Sequence, residues 1–203
     1  MARLAALGLT QDVLREAVAR GVDARRRCTP FHPPSFPGMA QWADTHRALR
    51  ELLVPVGWQR DDTGGYSTVV DPSGEVAVTV AAGDGRTGRD GLPAPSTKYA
   101  RGPMTQAAIH GNQLALSLYG EPPADLVDEG EAAKRVTWIL LVHTGHHEVR
   151  CELSCPRDVD DRGRVVGWSE RIMLTSLEVE PTLPILEPAD EDEPEIDVPV
   201  ERL

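Results

Sequence analysis

Lysine is almost missing from this chain: Lys98 and Lys134 are the only two among its 21 basic side chains, the other 19 being arginine. Together with abundant Ala, Gly, Pro and Val, this bias is typical of coding in GC-rich bacteria and their phages and says little about chemistry. Phenylalanine and tyrosine are also scarce, at two and three, so the core must come from Val, Leu, Ile, Ala and the four Trp. No stretch approaches the roughly 18 to 20 apolar residues that cross a bilayer as a helix. Residues 1–9 reach Gln11 and Asp12 before an export signal can develop, which predicts a cytoplasmic protein with no membrane partner. There are three cysteines, an odd number. In an extended strand Cys151 and Cys155 would lie about 13 Å apart, beyond the roughly 7 Å reach of a disulfide, so reduced thiols are expected.

What the chain does have is acid, and it is unevenly placed. Residues 178–203 hold ten of the 32 acidic residues and one of the 21 basic ones, which leaves 22 acids against 20 bases over 1–177. Five prolines, at 181, 184, 188, 194 and 199, forbid a helix through that stretch, and its charges repel one another. A disordered acidic tail is therefore expected over 178–203, behind an N-terminal helix and basic segment over 1–27 and a globular domain over 28–177. The nearly neutral body argues against nucleic acid as a partner, because phosphate neutralisation dominates that kind of affinity.

Within the body, Thr10 caps a helix over 11–20 that Gly21 is expected to stop. Residues 28–38 carry four prolines and both phenylalanines, and predict an extended strap pinned to the core by Phe31 and Phe36. Helical spacing of Met39, Trp42, Ala43, Leu49, Leu52 and Leu53 predicts a helix over 39–53 with Gln41, Asp44, Arg47 and Arg50 outward. Asp71-Pro72-Ser73-Gly74 is a type I turn sequence joining two strands. A long Gly/Pro-rich loop over 83–102 leads into a helix over 103–119 and an acidic connector over 121–131. The clearest strand signal is 135–155, where Val136, Trp138, Leu140 and Val142 form one apolar row and Val149, Cys151, Leu153 and Cys155 a second. Turns of two or four residues both bring the rows together. A last strand is expected over 165–174. The sum is a single α+β domain with a mainly antiparallel sheet of about five strands and two or three helices.

Four constellations carry chemistry. Gly83-Asp84-Gly85-Arg86-Thr87-Gly88 matches G-x-G-x-x-G, but the prolines at 93 and 95 prevent the helix that a dinucleotide needs at that point. The same loop gathers Arg86, Arg89, Ser96, Thr97, Lys98 and Arg101 as candidate anion donors. His143 and His146 would face each other across a turn made by Thr144 and Gly145, near enough to share a metal, though exposed hairpin-tip histidines are the simpler reading. Residues 27–33 fit R-x-x-P-x-x-P, a pattern that proline-binding modules dock. Trp168 and Glu170 share a strand face by alternation and form a candidate contact surface, with Arg171 on the other face. Residues 167–171 lack the last Gly of a nucleophile elbow, and residues 158–169 lack the acidic end of a calcium loop.

No catalytic residue and no cofactor emerges. The expected function is that of a non-catalytic accessory or regulatory protein that binds a partner protein. The alternative is an enzyme or binding domain for a phosphorylated or other anionic small molecule held by residues 83–102.

Overall fold

The computed structural model describes residues 2–91, 93–117 and 135–179. Among them are four helices: α1 (Ala2–Ala6), α2 (Gln11–Arg26), α3 (Phe36–Leu53) and α4 (Pro103–Ser117). Seven strands accompany them: β1 (Gln59–Asp61), β2 (Thr68–Val70), β3 (Val76–Ala82), β4 (Val136–Thr144), β5 (Glu148–Val159), β6 (Val165–Met173) and β7 (Leu177–Glu178). They form one sheet in the order β1-β2-β3-β4-β5-β6, with β7 continuing along the β6 side of β5. Every pairing is antiparallel except β3 with β4, between which the chain runs through α4. The expected α+β class with a mostly antiparallel sheet holds. Strands are more numerous than expected because short edge pieces, β1 and β7, carry too few residues to show a period of two.

Apolar rows on the two sheet faces decide the layering. Val78, Val80, Trp138, Leu140, Val142, Val149, Cys151, Leu153 and Cys155 face α1–α3, where Leu4, Leu14, Val18, Ala48 and Leu49 meet them. Ala81, Ile139 and Leu141 face the other way, toward Ile109 of α4. Leu140 pairs with Leu153 and Val142 with Cys151, which is the union of rows that the sequence required. The Asp71 turn also forms as expected. Its carboxylate accepts the Val76 N–H at 2.8 Å, and Gly74 N–H donates to Asp71 O at 3.0 Å.

Thr10 caps α2, accepting the Val13 N–H at 3.2 Å, but Gly21 does not stop that helix. It lies buried inside α2, where an added Cβ would come within 2.7 Å of Gln41 O and would meet the Thr45 hydroxyl. Its lack of a side chain lets α2 and α3 touch backbone to backbone. That contact also turns α3. Gln41 and Thr45 are buried against α2, whereas Met39 and Trp42, expected inward, are 60 % and 42 % exposed. The 28–38 strap departs further from expectation. Two turns replace an extended run, with His32 N–H donating to Thr29 O and Phe36 N–H to Pro33 O, and α3 starts at Phe36 with Pro37 in its first turn. A proline suits that position because its missing N–H would have no partner there. Phe31 is 98 % exposed, and Phe36 stacks on His32 at 4.8 Å rather than on the core.

α4 is tied to the sheet by one buried side chain. Asn112 accepts the Thr137 N–H at 2.7 Å and donates to Thr137 O at 2.9 Å and Pro156 O at 3.2 Å. The sheet also reaches further than the domain boundary read from composition. Glu178 ends β7, and Val179 N–H donates to His147 O at 3.0 Å. The remainder of the acidic tail, 180–203, and the acidic connector, 121–131, lie outside the described residues.

Candidate functional site

The polar groups of the 83–102 loop are largely spent inside the protein. Asp84 accepts from Arg86 N–H at 2.9 Å and from Ser96 N–H and hydroxyl, both at 3.1 Å. Thr97 is fully buried, donating its hydroxyl to Tyr99 O and accepting the Val165 N–H, both at 3.0 Å. Beneath the loop, β5 and β6 present a charged row. Arg150 donates to Thr87 O at 2.9 Å, to Gly85 O at 2.8 Å and to Glu148 at 2.6 Å. Glu152, with no exposure, accepts Arg171 at 2.9 and 2.7 Å, the Ser154 hydroxyl at 2.7 Å and Gly88 N–H at 2.8 Å. The Arg171 guanidinium also reaches Arg89 O at 3.0 Å. The segment is thus clamped to the sheet. Ser96 and Thr97 build the loop, and Arg86 and Arg89 point to solvent while their backbone holds it. A signal for this clamp was present in the chain: Arg150, Glu152 and Ser154 alternate with the apolar row of β5 and form a polar stripe of their own.

The remaining sequence candidates separate. Thr144 pairs with Val149, so the turn is Gly145–Glu148 with His146 and His147 at its tip. His143 therefore faces Arg150, its Nδ1 lies 3.4 Å from Gly83 O, and burial lowers its pKa. His146 is exposed elsewhere. Among the described residues no group of three His, Cys, Asp or Glu is placed to hold a metal ion. Trp168 and Glu170 lie on opposite faces. Cys155 pairs with Glu170 and Pro156 with Trp168, so Ser169 is an extra residue whose bulge inverts the alternation. Trp168 donates its indole N–H to Pro95 O at 2.7 Å under the loop. On the helical side Glu170 holds Arg3 at 2.9 and 3.0 Å.

One surface stands out instead, and it begins at an unfinished sheet edge. β2 pairs with β3 at only two positions, Val69 with Val78 and Val70 with Ala77, which leaves the later part of β3 without a strand neighbour on the side away from β4. α3 supplies the partners. Trp42 donates its indole N–H to Val80 O at 3.1 Å, and His46 Nε2 accepts the Val80 N–H at 3.3 Å, the two rings meeting edge-on at 4.9 Å. Two residues further along the same edge, Lys98 N–H donates to Ala82 O at 2.9 Å. Burial, then the nearby Arg50 and Arg101, push His46 down to about 4, so it stays neutral and keeps its acceptor lone pair. The edge that could template another strand is closed by side chains.

No family model, curated protein or solved structure matches this chain.

Closing the edge in this way leaves apolar side chains exposed at both ends of α3, with the Asp44, Arg47 and Glu51 ion pairs between them. Six of the large apolar side chains exposed among the described residues belong to α3 and its flanks: Phe31, Phe36, Met39, Trp42, Val54 and Val56. Between α3 and the β1–β2 ribbon runs an open cleft of about 750 Å³, lined by Trp42, His46, Arg47, Arg50, Val54 and Arg60 among others. Arg47 pairs with Asp44 and Glu51, and Arg50 with Asp62 at 2.6 Å; the Arg50 Nε is buried without an acceptor. At the α2 end sit Arg25, Arg26 and Arg27. Burial lowers the Arg25 pKa, opposed by its neighbours Cys28 and Tyr99, which places exposed Tyr99 at the same corner. Aromatic and aliphatic side chains fringed by arginine are the composition enriched where proteins bind proteins. The sequence alone does not point here, because the rotation of α3 that exposes Met39 and Trp42 depends on Gly21 in another helix.

Proposed function

We propose that this is a non-catalytic accessory or regulatory protein that binds a partner protein along the exposed face of α3 and the adjoining cleft. The partner segment it suits carries acidic residues interspersed with apolar ones. The observation that carries this reading is the exposure of Phe36, Met39 and Trp42 on the first turns of α3, continued past Trp42 by the cleft with Arg47, Arg50, Val54 and Arg60. A monomeric surface ordinarily scatters such side chains.

The test uses the full chain and a fluorescein-labelled peptide of alternating Glu and Leu broken by Pro, followed by fluorescence anisotropy at low and high salt. Binding at low salt should weaken at least tenfold in Phe36→Ser/Met39→Ser, whose side chains are exposed and carry no core packing. An affinity unchanged by that pair of substitutions would remove the reading.

A further inference from the structure

We infer that a notch beside the β3 edge, walled by Arg50, Tyr66 and Arg101, is a binding site for a phosphate-sized oxyanion. The inference stands apart from the partner-binding reading, since it uses none of the exposed apolar side chains on which that reading rests.

The observation that carries it is where unsatisfied donors collect. Four buried side-chain polar atoms have no hydrogen-bond partner among the described residues: Arg50 Nε, Tyr66 Oη, Thr87 Oγ1 and Arg101 Nε. All but Thr87 belong to this notch. Along the free edge of β3, Thr79 donates its hydroxyl to Ser67 O at 2.9 Å, His46 takes the Val80 N–H, and Lys98 N–H donates to Ala82 O. Segments 62–68 and 98–105 therefore approach the same stretch of strand. They also touch one another, because a Cβ added to Gly64 would lie 3.0 Å from Met104 Sδ. Tyr66 follows Gly64 on one segment, and Arg101 precedes Met104 on the other. Arg50, one turn of α3 beyond His46, reaches the first of them by donating to Thr68 O at 3.2 Å. The electrostatics agree with this placement. Burial holds the Tyr66 phenol above its ordinary value, opposed by neighbouring Thr105 and then by the Arg101 charge, and after burial it is Arg50 and Arg101 that lower His46.

The notch is also short of negative charge. Arg50 commits its Nη2 to Asp62 at 2.6 Å, which leaves only its Nε, and the Arg101 side chain has no ion pair or hydrogen bond among the described residues. His46 is neutral at pH 7 and adds nothing. One guanidinium is thus left without a counter-ion, beside two further donors without acceptors, a state that folded proteins avoid. A tetrahedral oxyanion brings three oxygens to these three donors, two of them on arginines, which form their strongest hydrogen bonds with such groups. His46, Arg50 and Ser67 also line the cleft of about 750 Å³, so the rest of a phosphorylated small molecule has room outside the notch.

The experiment is thermal denaturation of the full chain at pH 7 with inorganic phosphate or with glycerol phosphate, ionic strength being held constant with sodium chloride. At a hundredfold excess over the dissociation constant, phosphate should raise the wild-type Tm by about 5 to 10 °C. Arg101→Gln should weaken binding by about tenfold or more and Tyr66→Phe by about three- to tenfold, read from the phosphate concentration needed for the same rise. Without phosphate, Arg101→Gln should leave Tm unchanged or higher, because the charge it removes has no counter-ion. A rise with phosphate alone supports a site for the free anion, and a rise with both compounds supports one for the phosphoryl end of a larger molecule. No rise with either, or equal rises in wild type, Arg101→Gln and Tyr66→Phe, would overturn the inference. Phe36→Ser/Met39→Ser should keep the full phosphate response, so failure of this site and failure of the partner-binding reading are told apart.

Discussion

Lowering the pH should destabilise this protein through His46 before most carboxylates titrate. Its Nε2 accepts the Val80 N–H at 3.3 Å, and an imidazolium has no lone pair to offer there. The folded state holds the group at about 4, against roughly 6.5 for a free imidazole. Between those values the unfolded chain binds a proton that the folded chain refuses, so stability falls as the pH falls, and the effect is nearly absent above pH 7. Integrating that difference gives a loss of about 2 kcal/mol between pH 7 and pH 5, growing to about 3.4 kcal/mol below pH 4. For a body of this size the first figure corresponds to about 4 to 8 °C in Tm. The assay is thermal denaturation followed by circular dichroism at pH 7, 6 and 5, for wild type and His46→Gln. Glutamine retains an acceptor oxygen and does not titrate. Asp61, Asp62, Asp71 and Asp160, all held below their ordinary values, lose stabilisation in the same direction as acid is added, but they do so in both proteins and cancel in the comparison. Equal slopes for the two proteins between pH 7 and 5 would refute the assignment of the neutral ring to the β3 edge.

Two further perturbations probe the packing on either side of the sheet. Arg171→Leu strands the fully buried Glu152 carboxylate and should cost about 3 to 5 kcal/mol in urea denaturation, part of which Arg171→Leu/Glu152→Leu should restore; a loss under 1 kcal/mol would show that the clamp is not a buried ion pair. Gly21→Ala drives a methyl group to within 2.7 Å of Gln41 O and should cost about 1 to 3 kcal/mol; a neutral result by thermal denaturation would mean that α2 and α3 are further apart than described.

What the sequence revealed was whatever depends on neighbours in the chain. The Thr10 cap, the Asp71 turn and the apolar rows of β4 and β5 need only local chemistry or a period of two, and all three are present. What it concealed depends on residues far away. Whether Gly21 ends a helix or lets another helix in is decided by Gln41 and Thr45, and the same contact decides which side of α3 faces water. The prolines at 33, 34 and 37 were read as extension, yet one of them opens a helix. The donors of the 83–102 loop looked available because their acceptors, Asp84 and the carbonyl of Tyr99, are legible only once the loop is folded onto β5 and β6.

Asn112 makes α4 more than a cover. Its carboxamide meets Thr137 through both N–H and C=O, as a residue of an adjoining strand would, opposite a proline that has no N–H to give. The hydrogen-bond network of the β layer thereby continues into a helical side chain. Peeling the helix away would open the seam between the two central strands at the same moment, so helix and seam belong to one cooperative unit, and their amide protons should exchange with solvent together.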